Sequence, residues 1–143
     1  MANRGYALLL AGGVVEIFGD VQTTLIRNPR DALANAYYGE FLASGYYSSY
    51  EPQPEEGLSY LEKAGLLNPN IGLAHLARAE ILNSLGLQED AKMALDSSVG
   101  LDLPTYVHYL GRADLHASFG EFNLAFSNLE EALQINPAQS AVY

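Results

Sequence analysis

The longest uncharged stretch lies near the start of the chain, where Tyr6 to Val15 reads YALLLAGGVV after Arg4. Ile17, Phe18, Val21, Leu25 and Ile26 prolong the apolar pattern at helical spacing, with Glu16 and Asp20 interrupting it. The pattern predicts an apolar helix over about 5–27. A bilayer span needs roughly 20 mostly apolar residues, and a carboxylate placed mid-span costs about 3 kcal/mol. A helix buried against protein is therefore the favoured reading, with Leu8, Leu9, Val14 and Phe18 as its docking residues. Membrane contact by this helix stays open as an alternative. A secretory leader would need a small-x-small cleavage site, and none follows the run cleanly.

Downstream, the apolar positions repeat. GLSYLEKAGLLNP (57–69), AKMALDSSVGLDL (91–103) and AFSNLEEALQINP (125–137) align, with starts at Gly57, Ala91 and Ala125. The starts are 34 residues apart each time. Leu61, Leu95 and Leu129 follow four residues on, and Ala64, Ser98 and Ala132 three further. Each stretch is preceded by a second periodic segment: 31–44, 71–84 and 105–118. These align a small residue at Gly39, Ala79 and Ala113, and a large one at Phe41, Ile81 and Leu115. Small residues let two helices approach closely. Gly86 and Gly120 fall where the first helix must turn. Asn68-Pro69 and Asn136-Pro137 stop the second helix, while the middle unit carries its proline one place late, at Pro104.

A 34-residue helix–turn–helix unit with this pattern resembles the tetratricopeptide repeat. The residues that carry the resemblance are Gly39, Ala79 and Ala113; Gly57, Ala91 and Ala125; Leu61, Leu95 and Leu129; and Pro69 and Pro137. The family's tryptophan at the fourth position is replaced by Asn35, His75 and Tyr109, and Leu103 stands where the middle unit's proline would be. The expected fold class is all-α: an α-solenoid of about three such repeats (about 32–71, 72–105 and 106–139) behind the apolar N-terminal helix. The chain thus divides into an N-terminal segment, 1–28, and a repeat domain, 29–143. The first unit spans 40 residues from Asn28-Pro29 to Asn68-Pro69, and its surplus lies in a loop over 46–56 that exposes Tyr47 and Tyr50. That loop is either a lengthened turn or part of a binding face.

The resemblance implies that the first helix of each pair lines a concave groove. On that basis the partner-binding groove holds Tyr37, Glu40 and Ser44 from the first unit. The second unit adds Leu76, Glu80 and Asn83, and the third Leu110, Asp114 and Ser118. Glu40, Glu80 and Asp114 occupy equivalent positions, an acidic ladder that favours a basic or apolar segment. The plainer reading is that these acids solvate the surface. Chaperone-binding members of the family use basic residues at such sites to hold a terminal carboxylate, and here the sites carry acids and aliphatics.

Composition narrows the chemistry. The 143 residues carry 17 acids against 7 bases, a formal charge of −10, which repels phosphate backbones and argues against nucleic acid. No cysteine is present, which excludes disulfides, thiol nucleophiles and cysteine-bound metals. His108 and His116 are eight apart, too far for a two-ligand pair on one helix turn, and no H-E-x-x-H motif occurs. Gly12 and Gly13 lack a phosphate loop's context, and no serine sits in a G-x-S-x-G elbow. No catalytic, cofactor or metal residue is assigned, and a groove hydrolase would need two converging carboxylates. The reading is a non-enzymatic interaction scaffold, a subunit of a larger assembly whose partner is a protein. Head-to-tail self-assembly and a membrane-anchored adaptor are the alternatives.

Overall fold

Each helix has a local reason to start and stop. The structure, a computed structural model, describes residues 14–44 and 51–137, with side chains from residue 18 onward in the first stretch. Among these residues it has seven α-helices: α1 (Val14–Arg27), α2 (Ala32–Ser44), α3 (Pro54–Leu67), α4 (Gly72–Ser84), α5 (Gln88–Ser98), α6 (Tyr106–Ser118) and α7 (Phe122–Ile135). The Asp31 carboxylate accepts the Ala34 N–H at 2.9 Å and so caps α2. Pro54 opens α3, followed by Glu55 and Glu56 in the first turn. Proline loses no hydrogen bond there, and the carboxylates favour the positive end of the helix dipole. The loop expected over 46–56 therefore ends earlier, before Pro54.

Gly86 and Gly120 turn the chain at φ of 82° and 78°, where the sequence places the ends of α4 and α6. Gly100, at φ 79°, is a third such stop. It ends α5 at Ser98, so α5 has 11 residues where α3 and α7 have 14. In the other units Asn-Pro does this work. Asn28 Oδ1 accepts the Arg30 N–H at 3.2 Å, and Asn68 Oδ1 accepts the Asn70 N–H at 3.0 Å. The two turns match, so α1 has the register of a second helix in a pair. Val21, 2% exposed, stands where Leu61 and Leu95 stand in α3 and α5.

The helices pack as the pairs α2·α3, α4·α5 and α6·α7, with α1 against α2. The inner helices α2, α4 and α6 stack on one another, while no two outer helices touch among the described residues. An array packed on one side and open on the other bends toward the packed side. One core cluster joins Val21, Tyr37, Phe41, Leu61 and Leu73; a second joins Leu76, Leu95, Leu103, Tyr109 and Leu115. Leu58 borders both, so the apolar interior is continuous. Close approach marks the first pair: a Cβ on Gly39 would lie 2.7 Å from the Gly57 carbonyl oxygen.

The fourth position of each inner helix ties the units together. Asn35 Nδ2 donates to the Pro29 carbonyl at 3.0 Å, and His75 Nε2 lies 2.7 Å from the Pro69 carbonyl. In the third unit Leu103 replaces proline and has an N–H, which donates to the Tyr109 hydroxyl at 3.1 Å. Three different side chains thus make one contact, six residues back along the chain.

Candidate functional site

The groove lies along α2, α4 and α6. Between the first two units it holds a cavity of about 210 Å³, walled by Ala43, Ala77 and Ile81 and polar at Glu40, Glu80, Ser44 and Ser84. Glu80 forms the middle of an acidic set. Its carboxylate leans over Gly111 of α6, where an added Cβ would meet Glu80 Oε1 at 3.3 Å. Glu80 is an exposed residue, and its carboxyl is crowded by the α2 residues across the cavity and by Gly111 of α6. That crowding, with the negative charges of Glu40 and Asp114, pushes its pKa up to about 7, and His108 opposes the rise. No described residue forms an ion pair with Glu80.

Glu40 is not an open rung of the ladder. His108 Nε2 lies 3.0 Å from Glu40 Oε2, a contact between the first and third units across 68 residues of sequence. Thr105 Oγ1, at 3.0 Å from His108 Nδ1, holds the other edge of the ring. No sequence signal marks this pair, because neither period nor spacing relates the two positions.

Several expected groove residues sit elsewhere. Tyr37 is fully buried, with its ring 6.1 Å from that of Phe41, so it belongs to the core and offers no groove surface. Burial and then the charge of Glu40 raise its hydroxyl pKa. Leu76 is also fully buried, in the second core cluster. A central helix flanked by neighbours keeps only a narrow free strip, and these two side chains fall outside it. Leu110 is half-buried and packs against the same cluster. Asn83 is half-buried and does not line the cavity. Asp114 is exposed on α6.

Ser44, Ser84 and Ser118 are exposed, and each hydroxyl donates to the carbonyl three residues back, of Phe41, Ile81 and Leu115. Each is the last residue of its helix, which accounts for their shared spacing. The Phe18 ring of α1 lies 5.5 Å from that of Tyr38, which meets Tyr60 edge-on at 4.7 Å. Val14 begins α1. Leu8, Leu9, Tyr47 and Tyr50 lie outside the described residues. No helix among the described residues is long and apolar enough to cross a membrane.

No protein-family model matches the chain, and sequence comparison with characterised proteins gives no match. Solved structures do match its shape. TTC0263, a thermophilic TPR protein of Thermus thermophilus, superposes with a TM-score of 0.64 at 24% identity, covering 93% of this chain and 71% of that one. The APC/C hetero-tetramer Cut9–Hcn1 gives a TM-score of 0.55 at 22% identity, over 81% of this chain and 21% of the other. MamA gives 0.53 at 17% identity, over 93% and 74%. At these identities the likeness is one of fold, and in fold the chain is a tetratricopeptide-type repeat protein.

Proposed function

We propose that the protein is a non-enzymatic interaction scaffold whose groove takes a basic side chain from an otherwise apolar segment of a protein partner. The observation that carries this reading is Glu80, a carboxylate with no ion-pair partner among the described residues, between two further acids and beside a small cavity with apolar walls. A lysine or arginine there relieves repulsion among the three acids and lays its methylenes along Ala43, Ala77 and Ile81. The Cut9–Hcn1 structure is a hetero-tetramer, which supports subunit contact as a use of this fold. The test is fluorescence anisotropy with an apolar peptide bearing one central lysine, and its norleucine twin. Tight binding of the lysine peptide should weaken about tenfold on Glu80→Gln, as for loss of a charge-assisted contact. Equal binding of both peptides, or no loss in the variant, sinks the proposal.

A second reading, self-association, is favoured by one surface. Phe122 and Phe126, one turn apart on α7, are 62% and 64% exposed. Light scattering on the protein and on the Phe122→Ser/Phe126→Ser double variant checks it. A concentration-dependent oligomer that the double substitution leaves intact removes this surface as its cause.

A further inference from the structure

The apolar end of α7 has a counterpart in the chain's own sequence. RGYALLLAG (4–12), RAEILNSLG (78–86) and RADLHASFG (112–120) align, and in each case an outer helix begins two residues after the glycine, at Val14, Gln88 and Phe122. Residues 4–12 lie outside the described part. By sequence they stand to α1 as the ends of α4 and α6 stand to α5 and α7.

The third unit shows what such a segment meets in the unit before it. Arg112 Nη1 donates to the carbonyls of Ser98 and Leu101, at and just beyond the end of α5, at 2.6 and 2.9 Å. Its Nε donates to Asn128 Oδ1 of its own unit at 2.6 Å, which aims the guanidinium. Arg4 and Asp20 stand at the places of Arg112 and Asn128. In the second unit the place of Asn128 is held by Ala94, and Arg78 Nη1 turns instead to His75 Nδ1 at 3.4 Å.

The outer helices meet the next unit at one further position. Leu58 of α3 packs against both core clusters. Its equivalent in α5, Lys92, places Nζ 3.1 Å from Oε2 of Glu121, the residue after the turn glycine of the third unit. The equivalent in α7 is the exposed Phe126, and Leu129 beside it is half-buried where Leu61 and Leu95 are fully buried. The carbonyls equivalent to those Arg112 holds are those of Ala132 and Ile135. No described guanidinium donates to them, and the last turn of α7 carries no basic residue.

We propose that this end of α7 is the docking surface for residues 4–27 of a second copy, so that the array continues from one copy into the next. The inference rests on the self-association reading and names both halves of the contact. Arg4, aimed by Asp20, donates to the carbonyls of Ala132 and Ile135, a cation at the negative end of a helix. Phe126 packs over Gly13, the residue after the turn glycine, which has no side chain to exclude the ring. The two surfaces differ, so the contact is heterologous and each copy carries one of each.

Sedimentation velocity of the full chain over a range of concentrations, with Phe126→Asp, Arg4→Glu and their equimolar mixture, tests this. The parent should form oligomers beyond the dimer, and each variant alone should stay monomeric. The mixture should stop at a dimer, because it joins one copy with an intact Arg4 end to one with an intact α7 end. Arg4→Ala should weaken association about tenfold, as for loss of a charge-assisted contact. Dimers of Arg4→Glu alone would show two α7 faces meeting about a two-fold axis and overturn the proposal, as would a mixture that stays monomeric. A parent oligomer that Arg4→Glu and Arg4→Ala leave intact also overturns it, while self-association stands. A parent monomeric at every concentration removes both. Circular dichroism checks each variant's fold, with Phe126→Ser in place of Phe126→Asp where the aspartate unfolds the chain.

Discussion

At the residue scale, two glycines in helices have opposite expectations. Alanine favours a helix interior over glycine by about 1 kcal/mol. At Gly19 nothing lies within 4 Å of the added Cβ, so Gly19→Ala should stabilise by about 0.5–1 kcal/mol. At Gly39 the Cβ meets the Gly57 carbonyl oxygen and Leu61 Cγ, both at 2.7 Å. Overpacking costs about 1–3 kcal/mol and a backbone oxygen cannot swing aside, so Gly39→Ala should be net destabilising. Urea denaturation of the two variants measures both signs. Glu80 makes a prediction in pH. Its folded pKa of about 7 lies above the ordinary 4.5, so between these values the folded chain holds more of its proton than the unfolded chain. Stability from this group is full below about 4.5 and falls as pH rises through 7. Glu80→Gln should flatten that decline, seen as a smaller difference between denaturation midpoints at pH 5 and pH 8. A profile identical to the parent's would remove Glu80 as the cause.

At the element scale, the helix pairs were legible because spacing of three and four repeats at a fixed period, and helix ends carry glycine or Asn-Pro. Less legible was which flank of a helix its neighbours cover. Tyr37 and Leu76 sit on inner helices, as expected, but on faces closed by the adjoining units. The stop at Gly100 was also missed, since the family pattern places glycine after the first helix of a pair and proline after the second. The fourth-position contacts are a subtler case. Asn35, His75 and Tyr109 share no chemistry in sequence, yet each reaches the turn six residues earlier. Tyr109→Phe keeps the packing and leaves the Leu103 N–H without its acceptor. The expected loss is about 1–3 kcal/mol, the cost of an unsatisfied buried donor. Hydrogen exchange at the Leu103 amide, faster in the variant, locates that loss at the α5–α6 turn.

At the scale of the whole molecule, the units of a repeat array contact only their neighbours in the simplest case. Here Glu40 and His108 join the first unit to the third. A double-mutant cycle with Glu40→Gln and His108→Gln should give a coupling energy of about 0.5–3 kcal/mol. A coupling indistinguishable from zero would mean the ends of the array fold independently of each other. The acidic balance of the sequence takes shape at this scale too. One of three equivalent acids is tied, one is crowded, and one faces solvent, so their similarity in sequence hides three different electrostatic roles.

The Glu40–His108 pair has a mechanical meaning. Helices α2, α4 and α6 form an arch, and this pair is a tie drawn across its span. Releasing the tie returns a free carboxylate to the space beside Glu80. The charge presented in the groove therefore depends on a contact between residues 68 apart.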